Sequence, residues 1–92
     1  MRIEFDPEKS KKNIRERRLP FSLAYEFDWE TAIFKEDNRK VYPEKRFVAF
    51  GYLHDRLHVL CFTHVDDGVR VISFRKANSR EVKMYEKENI NN

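Results

Sequence analysis

The second half of the chain contains three extended segments joined by two very short connections, and this pattern limits the fold most. The segments cover residues 46–53, 57–65 and 69–76, and they are rich in β-branched and aromatic residues. His54-Asp55 and Asp67-Gly68 connect them, and Asp-Gly is a strong hairpin signal. Because a two-residue turn joins only antiparallel neighbours, the sequence predicts an antiparallel meander here.

Helix and strand signals before and after the meander complete the pattern. Asp6 followed by Pro7 is typical of a helix start, and this helix would bury chiefly Ile14. The apolar stripe of a second short helix would be Phe21, Ala24 and Tyr25. The predicted elements are strand 2–5, helix 7–17, helix 21–28, strand 31–34, a charged loop 35–45, the three meander strands and helix 79–87.

This layout predicts an α+β fold in the order β-α-α-β-β-β-β-α, with an antiparallel sheet packed by helices. Residues 1–92 are expected to form one small domain, in which residues 89–92 fray.

The two short turns also predict which side chains share a face of the sheet. Leu60 would lie opposite Ala49 and Arg75, and Phe62 opposite Phe47 and Ser73. One face would be partly open and carry Gly51, His58, His64, Ser73 and Arg75. The other would be almost wholly apolar, pack on the helices and carry Val48, Phe50, Val59, Cys61, Ile72 and Phe74. One additional loop residue would invert this assignment.

Charge is clustered although the formal net charge is only +3. Six Lys or Arg residues fall within residues 9–18, and five more fall within residues 70–83. Clustered basic charge on a small domain suits nucleic acid or an acidic protein, and the alternative is a solvated helix face.

Cys61 is the only cysteine, so no internal disulfide can form, and its apolar neighbours favour a buried structural thiol. The sequence has no HExxH motif, no Walker loop and no Cys-based metal motif, so we expect no metal and no cofactor. It also has no apolar run of membrane-spanning length and no signal-peptide pattern, and we expect a cytoplasmic protein.

Residues 70–85 read as a strand that leads directly into a capped helix. Asn78 is a good N-cap, and Glu81 stands three residues later, as a capping box requires. Arg75 and Lys76 would therefore lie beside a helix N-terminus, an arrangement that suits a phosphate. The alternative is that both are solvated strand-end charges.

The same run resembles the C-terminal signature of the BrnT family, the toxins of BrnT/BrnA toxin–antitoxin systems. The matching residues are Arg70, Ile72, Ser73, Arg75, Lys76, Ala77, Glu81 and Tyr85. Further matches are Phe5-Asp6-Pro7 with Lys9, Lys12-Asn13, Phe21, Ala24, Arg46-Phe47 and Gly51. The chain departs from the family at Arg17-Arg18, where His-Gly is common, and at His64, where an acidic residue is common.

This resemblance implies a RelE-like fold and a ribonuclease toxin that inhibits translation. It also implies a BrnA-type antitoxin whose ribbon-helix-helix part binds DNA, in a heterotetramer of two toxins and two antitoxins. Arg and Lys with His, Glu and Tyr nearby suffice to cleave RNA without a metal, by attack of the ribose 2′-hydroxyl on the adjacent phosphate. Glu44 and Glu81 are weaker candidates for the base, and capping alone explains Glu81.

Specific side chains are candidates for this chemistry. Arg75 would clamp a phosphate, Lys76 would be a second cation, and His64 would be an acid or base, unless it is a structural histidine at a hairpin end. The candidate RNA contacts are Lys12, Arg15, Arg46, Arg80 and Tyr85. Tyr85 also fits a core position, and His58 is expected to be structural.

Two classes of function remain open at this point. One is a ribonuclease toxin neutralised by an antitoxin. The other is a non-catalytic module that binds nucleic acid or an acidic protein through the same basic face, which composition alone favours. The family resemblance favours the toxin.

Overall fold

The structure is a computed structural model and describes residues 1–90. In chain order its elements are β1 (Arg2–Glu4), α1 (Pro7–Arg17), a 3₁₀ helix (Phe21–Tyr25), β2 (Ile33–Glu36), β3 (Phe47–Leu53), β4 (Arg56–Val65), β5 (Gly68–Lys76) and α2 (Ser79–Ile90). The α+β class and the three meander strands are confirmed. The second predicted helix is instead a shorter 3₁₀ helix. Helix α2 continues to Ile90, three residues beyond its predicted end at residue 87. The predicted fraying stays a prediction, and residues 91–92 lie outside the described part.

The five strands of the described chain form one sheet in the order β1-β5-β4-β3-β2. Neighbours are antiparallel except β1, which runs parallel to β5, so the sheet is mixed and not purely antiparallel as predicted. Gly68 permits this pairing, because a Cβ there would lie 1.8 Å from the Arg2 carbonyl oxygen. The predicted turn at Asp67-Gly68 lies one residue earlier, at Asp66-Asp67, where Asp67 has a φ of 67°.

The register predicted between β3 and β4 is confirmed, since Ala49 pairs with Leu60 and Phe47 with Phe62. The register predicted between β4 and β5 is wrong: Leu60 pairs with Phe74, and Phe62 pairs with Val71. A β-bulge between these pairs leaves one extra residue on β5. Beyond the bulge every β5 side chain changes face, so Arg75 and Ser73 lie opposite to the face that carries His58.

The two faces of the sheet carry separate cores. The larger core lies under α1 and the 3₁₀ helix, and its sheet residues include Ala49, Leu60, Phe62, Val71 and Phe74. The smaller core lies under α2, where Leu57 and Val59 contact Tyr85. We call the two faces the α1 face and the α2 face. The partly open face is therefore the α2 face, which reverses the prediction. Cys61 is buried and free, as predicted.

Helix α1 is held to the sheet by polar side chains. The predicted cap is confirmed, since the Asp6 carboxylate accepts a hydrogen bond from the Glu8 N–H at 2.9 Å. Ile14 is 43% exposed, however, and the buried residues of α1 are Ser10 and Asn13. The Asn13 side-chain amide donates to the carbonyls of Leu19, at 2.8 Å, and Phe74, at 2.9 Å. Asn13 thus fixes the end of α1 against β5.

Tyr25 was also predicted to face the core, and it is mostly exposed. Within residues 1–90, no helix is both long and apolar enough to cross a membrane.

Candidate active site

A cation-lined pocket opens at one end of the sheet, where β5 ends, β4 begins and α1 ends. Its volume is about 430 Å³. The residues that line it, which we call the basic pocket, are Arg17, Arg18, Leu19, His58, Arg75 and Lys76. Four of these six residues are Lys or Arg, so the pocket is suited to a phosphate.

Arg75 is held in one orientation by Glu81. Its Nη1 and Nη2 atoms each donate to a different Glu81 carboxylate oxygen at 2.9 Å, and Nη1 also donates to the Lys76 carbonyl. A guanidinium has five N–H groups, so the Nε–H and the second Nη2–H remain without a protein partner within residues 1–90. Those two lie on one edge of the guanidinium and can donate in parallel to two phosphate oxygens.

Glu81 therefore has two structural roles. It completes the predicted capping box, because the Glu81 carboxylate accepts from the Asn78 N–H and the Asn78 side chain accepts from the Glu81 N–H. It also pairs with Arg75, and this contact, with the capping hydrogen bond, lowers the pKa of the carboxyl below its usual value. The same hydrogen bonds raise the pKa of Arg75. Both charges persist at neutral pH, and α2 fixes the orientation of Arg75.

His58 lies between the core and the basic pocket. Its ring packs against Phe74, with centroids 5.5 Å apart, and its Nδ1 is 2.8 Å from the Arg56 carbonyl. Because a carbonyl only accepts, Nδ1 carries the proton and Nε2 is the basic nitrogen. No protein group in residues 1–90 binds Nε2. Burial lowers the pKa of His58, and the nearby positive charges of Arg56 and Lys76 lower it further, so the ring is neutral at pH 7.

Lys76 is the cross-strand partner of His58 and the last residue of β5. Paired residues in register share a face of the sheet, so Lys76 projects on the His58 side. Arg75 projects on the opposite side of the sheet and is also among the residues that line the pocket. Arg75, Lys76 and His58 therefore border the same pocket, from the two faces of the sheet.

Arg17 and Arg18 close the pocket from the end of α1. Arg17 Nη1 donates to the side-chain oxygen Oδ1 of Asn13 at 2.8 Å. Arg18 is the C-cap, with φ 56° and ψ 36°, and its N–H donates to the Ile14 carbonyl. An arginine in the left-handed region is strained relative to glycine, and such strain is concentrated at functional sites.

His64 lies away from the basic pocket. It is exposed near the far end of β4, and its ring contacts Phe47 and Phe62 with centroids 5.1 Å and 5.5 Å away. It is six residues along β4 from His58, roughly 20 Å at the rise of a β-strand. The prediction that His64 and Arg75 share a face is wrong because of the β5 bulge. A role for His64 stays a prediction.

The predicted RNA contacts are scattered. Lys12 borders a shallower cavity, of about 300 Å³, that Arg17 also lines. Arg80 is exposed in the first turn of α2. Arg15 is exposed on α1, and because it lies two residues after the buried Asn13, it faces the solvent side of the helix. The guanidinium of Arg46 lies 4.1 Å from the centre of the Tyr42 ring.

Tyr85 was predicted either to contact RNA or to lie in the core, and in the structure it lies in the core. It is only 5% exposed, and its hydroxyl donates to the Thr31 carbonyl at 2.9 Å. It has no surface for stacking on a base.

Sequence reasoning missed Arg17, Arg18 and His58 as members of one site. The bulge that decides the faces of β5 has no glycine or proline to mark it. One sequence feature could have pointed to this end of α1: Arg17-Arg18 stands where His-Gly is common in the resembled family. Within residues 1–90, no three His, Cys, Asp or Glu side chains are grouped as a metal would require.

The comparisons with known proteins identify the family. No curated protein and no solved structure matches the chain. A family model does match, over residues 5–81, and its description is "Ribonuclease toxin, BrnT, of type II toxin-antitoxin system". The matched range includes all six residues that line the basic pocket, and it ends at Glu81. The chain therefore belongs to the BrnT family of ribonuclease toxins of type II toxin–antitoxin systems.

Proposed function

We propose that the basic pocket is the active site of this toxin and that it cleaves RNA without a metal ion. The observation that carries the proposal is that Arg17, Arg18, Arg75 and Lys76 line one pocket with a neutral His58, whose Nε2 has no protein partner within residues 1–90. Cleavage through the 2′-hydroxyl needs a base, an acid and cations for the developing charge. This set of side chains supplies all three.

In the proposed reaction, the free edge of Arg75 holds two non-bridging oxygens of the phosphate. His58 Nε2 takes the proton of the 2′-hydroxyl while the O2′–P bond forms. The P–O5′ bond breaks, and the Lys76 ammonium gives a proton to the leaving 5′ oxygen. The products are a 2′,3′-cyclic phosphate and a 5′-hydroxyl, and proton transfer from His58 to Lys76 restores the site. DNA lacks the 2′-hydroxyl, so only RNA is cut.

The rest of the RNA is proposed to follow the basic surface on both sides of the pocket. Lys12 would contact a backbone phosphate through the cavity that begins at Arg17, and Arg80 would do so at the start of α2. Arg15 and Arg46 lie farther out and would contact only a longer RNA. Tyr85 is not part of this surface because it is buried.

The family implies a protein antitoxin. We include in the proposal that this antitoxin is of the BrnA type and forms a heterotetramer with two toxins. Its acidic segment would cover the basic pocket, and its ribbon-helix-helix part would bind DNA. Cleavage would inhibit translation, and the RelE-like assignment of the fold belongs to the same proposal. Co-purification with the neighbouring gene product, followed by sizing, tests the partner.

Arg75→Ala tests the site itself. A phosphate clamp contributes about 3 kcal/mol to the transition state, so cleavage should fall by roughly a hundredfold or more. Arg75→Lys should restore little, because an ammonium lacks the two parallel donors. Arg70→Ala, which removes an exposed arginine from the same strand, is the matched control and should keep full activity.

Cleavage and the melting temperature are measured for each variant. Full cleavage by Arg75→Ala would remove Arg75 from the mechanism. Loss of cleavage together with loss of the melting transition would mean that Arg75 acts through the fold and not as a clamp.

A further inference from the structure

A second cavity lies on the α2 face of the sheet and is not used by the reaction described above. Its volume is about 340 Å³. Its floor consists of the apolar side chains of Val48, Phe50, Val59 and Cys61. We call it the floor groove. Val48 and Phe50 are only half-buried, so the floor keeps apolar surface open to solvent beside a charged site.

The floor groove and the basic pocket share one lining residue. Arg75 lines both cavities, and its side chain leaves β5 on the α2 face. Its pair with Glu81, which also lines the groove, fixes the guanidinium at this junction. A phosphate bound by Arg75 would therefore have the apolar floor of the groove beside it.

We propose that the floor groove is a nucleobase subsite, which holds one base adjacent to the phosphate that is cut. The inference rests on the proposed function, because the phosphate at Arg75 is what brings the base to the groove. A nucleobase has two flat apolar faces and a polar edge, and it stacks on apolar or aromatic side chains and on guanidinium planes. The groove offers surfaces of each kind.

Polar groups at the rim suit the edge of a base. Ser73 pairs with Cys61 in register, so its exposed hydroxyl lies on the side of the groove. Arg39 also lines the groove, and two of its guanidinium nitrogens donate to the Asp37 carboxylate at 2.8 Å. These hydrogen bonds lower the pKa of Asp37 to about 2, so the pair persists at neutral pH. The Arg39 side chain is 76% exposed and presents a fixed planar cation.

The paired charges of the rim favour a base over an acidic protein segment. Each of Asp37, Glu81 and Lys35 already has a partner of opposite charge, namely Arg39, Arg75 and Glu88. An acidic segment would gain little attraction from such a rim, whereas an uncharged base needs only the open apolar floor. The alternative occupant of the groove is a side chain of the antitoxin, and the experiments below distinguish it from a base.

Nuclear magnetic resonance of the wild-type protein tests the subsite directly. Inorganic phosphate and the four ribonucleoside 3′-monophosphates would each be titrated into ¹⁵N-labelled protein. Phosphate should shift the amides around Arg18 and Lys76 alone. At least one nucleotide should also shift the amides of Val48, Val59 and Ser73, and should bind about tenfold or more tightly than phosphate.

Nucleotides that shift only the amides that phosphate shifts would overturn the subsite and leave the proposed active site intact. Binding of neither phosphate nor nucleotide at the basic pocket would contradict the proposed function, and with it the subsite.

Ser73→Trp gives an independent test by filling the groove from an exposed strand position. Nucleotide affinity and RNA cleavage should each fall by about tenfold or more, while phosphate affinity is retained. Arg70→Trp is the matched control, because Arg70 is exposed on the same strand and the same face but lies away from the groove. It should leave all three measurements unchanged.

Unchanged nucleotide affinity in a folded Ser73→Trp variant would overturn the inference. So would a variant that loses antitoxin binding but keeps nucleotide binding, since the groove would then be a protein-docking surface. If Ser73→Trp fails to fold, the wild-type titration decides the matter on its own.

Discussion

Arg18 shows at the scale of one residue how this site differs from an optimally stable fold. Its left-handed backbone, with φ 56°, is one that glycine adopts without strain. Its side chain lines the basic pocket. The chain thus has a cation where glycine would make the helix end more stable. A mutation can separate the effect of Arg18 on stability from its effect on cleavage.

Arg18→Gly should stabilise the protein and lower its activity. Relief of the strain contributes about 0.5–1 kcal/mol, which raises the melting temperature by a few degrees in a domain of this size. Loss of the cation should reduce cleavage about tenfold or more. Lys11→Gln, which removes an exposed charge from the same helix at a position outside the proposed RNA contacts, is the control. Unchanged cleavage by Arg18→Gly would show that Arg18 does not contact the substrate.

His58 and His64 can be distinguished by the pH dependence of cleavage. Burial lowers the pKa of His58, so its basic form persists below the ordinary value of 6.5 and is lost only as the pH falls through the lowered pKa. The acid-side decline of cleavage should therefore come at a lower pH than an ordinary histidine, with a pKa of about 6.5, would give. His58→Gln should lower cleavage by ~10²–10⁴-fold at pH 7.

His64→Gln is the paired variant for this measurement. It removes a histidine of the same strand at an exposed position outside the basic pocket, and it should leave the pH profile unchanged. The reverse result, with His64→Gln inactive and His58→Gln active, would assign the acid–base role to His64 as the sequence suggested.

At the scale of elements, Asn13 determines how α1 meets the sheet. Its side-chain amide donates to two carbonyls, one after the end of α1 and one in β5 beside Arg75. Its carbonyl oxygen accepts from Arg17. One buried amide thus positions both the Arg17 side chain at the helix end and the strand that carries Arg75.

Asn13→Ala should destabilise the fold by about 2–4 kcal/mol, because two buried carbonyls lose their partner. Denaturant unfolding measures this difference. Asn89→Ala, at an exposed position of α2, is the control and should change the stability by less than about 0.5 kcal/mol. A loss below about 1 kcal/mol in Asn13→Ala would mean that water replaces the amide and that α1 is held in another way.

The elements also show how far the sequence could predict the fold. The three strands, both helix caps and the β3–β4 register follow from local patterns, and each is confirmed. The faces of β5 could not be predicted, since one extra residue in a strand reverses every side chain beyond it. The composition of the site depends on those faces. Arg75 and Lys76 were candidates from the sequence because they lie in the strand–helix run of residues 70–85. His58 was expected to be structural, and only the fold places it in the basic pocket.

At the scale of the whole molecule, the two faces of the sheet differ in how much apolar surface they leave open. The α1 face buries the larger core, and the α2 face leaves an open groove that ends at Arg75. The net charge of +3 is small, so the long-range attraction of a polyanion by the whole molecule is weak. In the proposed function, the cations grouped at one end supply the local attraction for RNA, and an antitoxin that covers this end alone would suffice for inhibition.

The measurement that tests this account most directly is analysis of the products of RNA cleavage by the purified toxin in EDTA. Two oligonucleotides of the same sequence would be compared, one all-ribose and one with a 2′-deoxy sugar at the position that is cut. We predict cleavage of the first to a 2′,3′-cyclic phosphate and a 5′-hydroxyl, with no cleavage at that position of the second. Cleavage of the deoxy substrate, a product with a 5′-phosphate, or activity that requires an added divalent ion would contradict the account.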